Sequence, residues 1–261
     1  MDYKSQIIFQ HIGQSGFFIN FKNIKILIDP YLSNSVEELD SPDYKRLIPI
    51  PFLPNQSLDI NWILITHEHL DHCDPQTLPL LNKYNPNAIF IGPPKVRKLL
   101  SEWGIPKSKI LSSSKKPFNL GCELFLIAIP AAHPIISFDK NKEPNALGWL
   151  LQYQRKKIYL AGDTSVCDYL IKYLEKFKPF DIAVLPVNED NYYKRKLGII
   201  GNMSIREAFE FAEDINAKTL VPVHWDLFEV NSVSPTEIKA VYDSNREWKF
   251  ELNLNIKKFA I

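Results

Sequence analysis

Short apolar runs that alternate with helix-like stretches constrain the fold of this 261-residue chain more than any other feature. Each run has five or six residues and is rich in Ile, Leu and Val, which is typical of a buried β-strand. Helix-start signals lie between the runs, namely Asp74-Pro75 and Ser-x-x-acid boxes at 165–168, 204–207 and 234–237. The alternation predicts an α/β fold, with strands at IKILID (24–29), WILITH (62–67), AIFIG (88–92), IYLAGD (158–163), IAVLPV (182–187) and TLVPVH (219–224).

No linker or short repeat divides the chain, so we predict one domain over residues 1–261. The alternating tail WKFELNLNI (248–256) predicts a further strand with one wet face. The least regular segment, 33–60, contains four prolines and is expected to be a surface loop. Such a loop can be a lid, a contact in a homo-oligomer, or without a role.

Charge and composition favour a small-molecule partner. The net charge is +1, so the chain as a whole has no strong electrostatic attraction to nucleic acid or to an anionic membrane. No apolar run approaches the roughly 20 residues of a membrane span, and the start MDYKSQIIFQ does not resemble a signal peptide. Three scattered cysteines without a CxxC motif suit a reducing compartment. We therefore expect a cytoplasmic protein that binds neither nucleic acid nor membrane.

Metal-type ligands follow the ends of several predicted strands. The segment ILITHEHLDHCDP (63–75) places His67, His69, Asp71 and His72 directly after one strand. Single ligands follow others, namely His133, Asp163 and His224. Because the carboxyl ends of strands in open α/β sheets face one crevice, these side chains are expected to converge.

Seven ligands exceed the three or four that one catalytic zinc ion takes, so the pattern favours two divalent ions. Histidine and carboxylate suit zinc, manganese or iron. His67, His69 and His133 would bind one ion, Asp71, His72 and His224 the other, and Asp163 would bridge them. His133 or His224 alone would more simply be a hydrogen-bonded core residue, as we expect for His11. Five ionisable residues lie close together in HEHLDH. Without a bound cation, their burial at the end of a strand would carry an unfavourable free energy of desolvation and like-charge repulsion.

The segment THEHLDH resembles the H-x-H-x-D-H motif of the metallo-β-lactamase superfamily. His133, Asp163 in GDT and His224 follow in that family's order, and Asp29 in LIDP resembles its early structural aspartate. The resemblance implies a four-layer αβ/βα sandwich, with two facing mixed β-sheets flanked by helices and a dinuclear site at their edge. Stretches such as HIGQSGFFINFKNIKILIDPYLS and IGNMSIREAFEFAEDINAKTLVPVHWDLF are similar to the L-ascorbate-6-phosphate lactonase-like branch, which includes zinc or manganese lactonases and phosphodiesterases.

These residues predict a hydrolase in which a hydroxide shared by two cations attacks the substrate. Asp71 is expected to orient the water and relay its proton. A nuclease of the same superfamily, a diiron redox enzyme and a non-catalytic metal-binding scaffold are the alternatives. Diiron relatives usually carry Glu where this chain has His69, and a nuclease would need a basic face.

The loop NEDNYYKRKLGIIGNM (188–203) follows a predicted strand and is expected near the crevice. Its basic residues Lys194 and Arg195 are candidates to hold a substrate phosphate, since charge-assisted hydrogen bonds suit phosphate. Asn188, at the strand end, is a candidate polar contact. The alternative is a solvated charge run without a role in binding.

Overall fold

The computed structural model describes residues 7–56, 58–244 and 247–261. Two seven-stranded mixed sheets face each other, and helices cover the outer face of each. The predicted four-layer αβ/βα sandwich is therefore confirmed. The absence of a signal peptide was predicted from residues 1–10, of which 1–6 lie outside the described part.

The first sheet has the order β14-β1-β2-β3-β4-β5-β6. The strands β14, β1, β2 and β3 pair in antiparallel fashion, and β3 to β6 run parallel. The strands are β1 (Ile7–Gly13), β2 (Gly16–Phe21), β3 (Ile24–Ile28), β4 (Trp62–Leu64), β5 (Ile89–Gly92), β6 (Ile110–Ser112) and β14 (Lys258–Ala260).

The second sheet has the order β13-β12-β11-β10-β9-β8-β7. Here β7 to β10 are antiparallel and β10 to β13 are parallel, so each sheet contains one parallel half. The strands are β7 (Phe118–Gly121), β8 (Leu124–Pro130), β9 (Leu147–Tyr153), β10 (Lys156–Leu160), β11 (Phe180–Pro186), β12 (Ala217–Val223) and β13 (Glu251–Leu252).

The helices lie in the connections that the sequence predicts. They are α1 (Ser35–Leu39), α2 (Leu78–Tyr84), α3 (Pro94–Glu102), α4 (Asp168–Leu174), α5 (Tyr192–Lys196), α6 (Ile205–Asp214) and α7 (Pro235–Ser244), with 3-10 turns at Lys107–Lys109, Glu175–Phe177 and Glu229–Asn231. No helix within the described ranges is long and apolar enough to cross a membrane.

The helix-start predictions were right in part. Ser204 and Glu207 form the complete capping box at the start of α6. The box predicted at 165–168 is wrong, because α4 begins only at Asp168 and its N-cap residue Cys167 makes no side-chain capping bond. Asp74 accepts a hydrogen bond from the Gln76 N–H, but α2 begins later, at Leu78.

Apolar side chains fill three layers. Phe9, Phe17 and Ile26 of the first sheet meet Trp149 and Leu126 of the second in the core between the sheets. Helices α2 and α3 pack on the outer face of the first sheet, and α4, α6 and α7 on the outer face of the second. Since both faces of the central strands are covered, β8 and β11 are buried along almost their whole length.

The predicted tail strand over 248–256 is wrong for most of its length. Only Glu251 and Leu252 pair with β12, as β13. The side chain of Asn253 accepts a hydrogen bond from the Asn255 N–H, and this local turn replaces further pairing. An alternating pattern does not reveal such competition.

Candidate metal centre

The metal-type side chains named from the sequence lie together at one edge of the two sheets. They follow the carboxyl ends of β4, β8, β10 and β12. The rings of His67 and His133, which come from different sheets, have centroids 4.8 Å apart. The rings of His72 and His224, also from different sheets, are 5.6 Å apart.

Three histidine nitrogens form a first group. The Nδ1 atom of His69 lies 3.0 Å from His67 Nε2 and 3.2 Å from His133 Nε2. Asp71, His72 and His224 form a second group, in which Asp71 Oδ2 lies 3.5 Å from the Nε2 atom of each histidine. All ligand atoms within each group lie within 4.8 Å of one another.

Asp163 lies between the two groups. Its Oδ1 atom is 3.3 Å from His72 Nε2, and its Oδ2 atom is 3.2 Å from His224 Nε2. The same Oδ2 atom is 3.9 Å from His133 Nε2, in the first group. One carboxylate thus contacts both halves of the cluster.

Asp29, at the end of β3, orients the histidines of the first sheet. It accepts hydrogen bonds from the Thr66 N–H (2.8 Å), the Thr66 hydroxyl (2.6 Å) and His72 Nδ1 (2.8 Å). Because a carboxylate only accepts, His72 carries a proton on Nδ1, so its Nε2 atom is the one that faces the cluster and would bind a cation. The Thr66 hydroxyl donates to Asp29, so it accepts from His67 Nδ1 at 3.0 Å and fixes the same tautomer there.

Gln14 is a contact that the sequence interpretation missed. Its side-chain N–H donates to Asp71 Oδ2 at 2.6 Å, and its main-chain carbonyl oxygen accepts from the His224 main-chain N–H at 3.1 Å. His11 also donates to that carbonyl, at 2.9 Å, in agreement with its expected role as a hydrogen-bonded buried residue. The only signal in the sequence is the Gly-Gln-Ser-Gly turn between two strand patterns, which predicts a hairpin but not its contact with Asp71.

The ionisable groups of the cluster shift one another's pKa values. Burial lowers the pKa of His133 to about 4, and it holds the pKa of His67 well below its usual range together with the neighbouring histidines. Burial also opposes a charge on His72 and His224, but the carboxylates of Asp163 and Asp71 outweigh it and raise their pKa to about 9 and about 10. Protons on these two histidines balance the carboxylates, and a bound divalent cation would displace them.

Unpaired buried atoms test whether the cluster fits metal ions. His72 Nε2, Asp163 Oδ1 and His224 Nε2 are buried without a hydrogen-bond partner, and they face one another. Buried polar atoms are rarely left unpaired in proteins. Nitrogen and carboxylate oxygen donors are those that zinc and manganese accept, so the residues fit divalent cations.

A cavity of about 350 Å³ opens onto Asp71, Asp163 and His224. Its walls come from α1 and the following segment, from residues 197–200 after α5, and from residues 228–231 after β12. The irregular segment 33–60 therefore contributes to the cavity, through Val36, Asp40 and Tyr44.

The three predicted substrate contacts are not among the residues that line this cavity. Asn188 is fully buried and accepts a hydrogen bond from the Asn202 side chain. The Lys194 ammonium turns inward and donates to the Glu189 carbonyl at 3.0 Å, and the Arg195 guanidinium pairs with Asp190. The loop does reach the cavity, but through the apolar residues that follow this basic run.

A family model described as a beta-lactamase superfamily domain matches residues 25–225, which include all seven clustered ligands. The chain belongs to the metallo-β-lactamase superfamily. It is 27% identical to a metal-dependent hydrolase of Pyrococcus abyssi over 234 residues, which cover 87% of this chain and 88% of that protein. It is 22% identical to the N-acyl-phosphatidylethanolamine-hydrolyzing phospholipase D 1 of Caenorhabditis elegans over 230 residues, which cover 85% and 64%.

The metallo-β-lactamase fold is also found in solved structures. An isothiocyanate hydrolase from Delia radicum gut bacteria superposes with a TM-score of 0.74 at 20% identity, over 97% of this chain and 98% of that one. This likeness shows the fold alone. The chain spans about 60% of the length of the first curated relatives, which are mycobacterial proteins, so one domain over residues 1–261 stays a prediction.

Proposed function

We propose that this metal-dependent hydrolase of the metallo-β-lactamase superfamily is dinuclear. His67, His69 and His133 would hold one divalent cation, Asp71, His72 and His224 the other, and Asp163 would bridge them. The observation that supports this assignment is the position of Asp163, whose oxygen atoms lie within 3.2–3.9 Å of histidine nitrogens in both groups. Zinc and manganese both suit these donors.

Divalent cations, if held by these residues, would supply an activated water and would polarise the carbonyl or phosphoryl oxygen of the substrate. The protein holds the donors in place, since Asp29 and Thr66 fix the tautomers of His72 and His67. Asp71 keeps its Oδ2 atom toward His72, His224 and Gln14. Its Oδ1 atom is then the one proposed to take the proton of the attacking water, as a general base.

The reacting group is proposed to be a carboxylic ester, a lactone or a phosphodiester, each of which presents an oxygen that a cation polarises. The contacts of Lys194 and Arg195 give no support for a substrate phosphate held by the loop 188–203. The prediction of a phosphorylated lactone therefore rests on the sequence resemblance alone. A small-molecule substrate and a cytoplasmic location stay predictions.

The test is a metal analysis combined with a substrate screen. The purified chain is freed of metal with a chelator, reloaded with zinc or manganese, and assayed on matched esters, lactones and phosphodiesters. We expect hydrolysis only after reloading and a loss of hydrolysis in Asp163→Ala. Two tightly bound ions without hydrolysis of any substrate would favour the metal-binding scaffold, and cleavage of single-stranded or duplex nucleic acid would favour the nuclease.

A further inference from the structure

Resting on the proposed function, we infer that the part of the substrate beyond its reacting group is apolar and uncharged. The inference comes from the cavity in front of the cluster. It names a substrate class: esters, lactones or phosphodiesters that carry an aliphatic or aromatic tail and no second anionic group.

Most of the residues that line the cavity outside the ligand set are aliphatic or aromatic. They come from four separate parts of the chain, which are α1, the loop after β4, the loop after α5, and the segment after β12. The main contributors are Val36, Leu70, Leu197, Ile199, Phe228 and Val230. Leu197 is 61% exposed, so the entrance itself presents apolar surface. Binding an apolar tail there would remove this surface from water.

The charges around the cavity disfavour an anionic group on the part of the substrate beyond its reacting group. Among the described residues that line it there is no lysine or arginine. The charged lining residues outside the ligand set are Asp40 and Glu68, both acidic. Glu68 pairs with the Lys95 ammonium at 2.6 Å, and Lys95 does not line the cavity. An anionic tail would therefore lose its hydration without gaining a positive partner.

Three hydroxamates, which bind metal ions through the same group, test this in the zinc-loaded chain. Acetohydroxamate has almost no tail, hexanohydroxamate has an aliphatic tail, and adipic monohydroxamate carries a carboxylate at the end of a tail of similar length. Isothermal titration calorimetry gives each dissociation constant. We expect hexanohydroxamate to bind about tenfold more tightly than adipic monohydroxamate, which corresponds to ~1.4 kcal/mol.

Two variants locate the effect. Ile199→Lys places a cation in the wall and should reduce the preference for the apolar tail at least about threefold. Leu53→Lys is the matched control, because Leu53 is 53% exposed in the segment 33–60 but does not line the cavity. Lys95→Ala should leave the preference unchanged. If it instead removed affinity for the carboxylate tail, Lys95 would be an anion site and the inference would be wrong.

The outcomes separate this inference from the proposed function. Equal or tighter binding of the carboxylate tail overturns the inference while leaving the metal centre intact. Hexanohydroxamate that binds more weakly than acetohydroxamate also overturns it, since the cavity would then not accept an apolar tail. If zinc does not bind and none of the three hydroxamates binds, the proposed function fails and this inference with it.

Discussion

The substitution Asp29→Asn tests how the protein prepares a histidine for a metal ion. Asp29 accepts from the Thr66 N–H, the Thr66 hydroxyl and His72 Nδ1. In the variant, an amide NH₂ replaces one carboxylate oxygen. If the amide oxygen stays with the Thr66 N–H, the NH₂ group faces two donors, the hydroxyl and His72 Nδ1.

The hydroxyl can rotate, but the His72 ring can relieve the conflict only by moving its proton to Nε2. That nitrogen is the one directed at Asp163 and Asp71. A protonated nitrogen has no lone pair for a cation, so the tautomer change competes directly with metal binding.

The magnitude follows from the lost charge-assisted hydrogen bond, which contributes about 1.5–3 kcal/mol. Removing such a supporting partner typically lowers metal affinity roughly 10- to 100-fold. We expect a loss of this size for the ion held by His72, and a smaller loss for the ion held by His67, His69 and His133.

Competition with a chelator of known affinity measures the two dissociation constants. Asp181→Asn is the matched control, because Asp181 also accepts backbone and lysine hydrogen bonds but lies away from the cluster. Both variants should keep the fold, checked by circular dichroism. Unchanged affinity for both ions in Asp29→Asn, or an equal loss in Asp181→Asn, would refute the reasoning.

Three further predictions concern single side chains. Asp163→Ala should lose bound metal and most activity, whereas His11→Ala should keep both, and metal analysis after dialysis distinguishes these outcomes; two retained ions in Asp163→Ala would contradict the bridging role. Arg195→Ala should change kcat/KM by less than about twofold, because its guanidinium pairs with Asp190 and does not line the cavity; a tenfold loss confined to phosphorylated substrates would instead support the predicted phosphate contact. Ser204→Ala should lower the free energy of unfolding by about 0.5–2 kcal/mol through loss of the α6 cap, measured by urea denaturation. A change in metal content in Ser204→Ala would show that its effect is not confined to the helix.

Local patterns of the chain predicted the α/β class and the cluster, whereas the four-layer sandwich was implied by the resemblance to the metallo-β-lactamase superfamily. Apolar runs gave the strands, and the polar residues after them gave the convergence of His67, His133 and His224. The contact from Gln14 to Asp71 joins positions 57 residues apart and depends on how a hairpin packs, which no local pattern records.

The sequence also could not give side-chain direction in the short helix α5. Lys194 and Arg195 are neighbours, yet one ammonium is turned inward to a carbonyl and the other cation pairs on the surface. The apolar residues that follow them line the cavity instead. Which residues of such a segment face a cavity depends on how the segment packs, which its composition does not record.

The most direct test of the proposed dinuclear site is the number of metal ions bound per wild-type chain. The protein is stripped with a chelator, titrated with zinc or manganese, and measured by calorimetry and by plasma mass spectrometry after removal of free metal. We expect two ions per wild-type chain and one or none in Asp163→Ala. A wild-type chain that takes up no divalent cation, or whose hydrolytic activity persists fully in excess chelator, would contradict the proposed site.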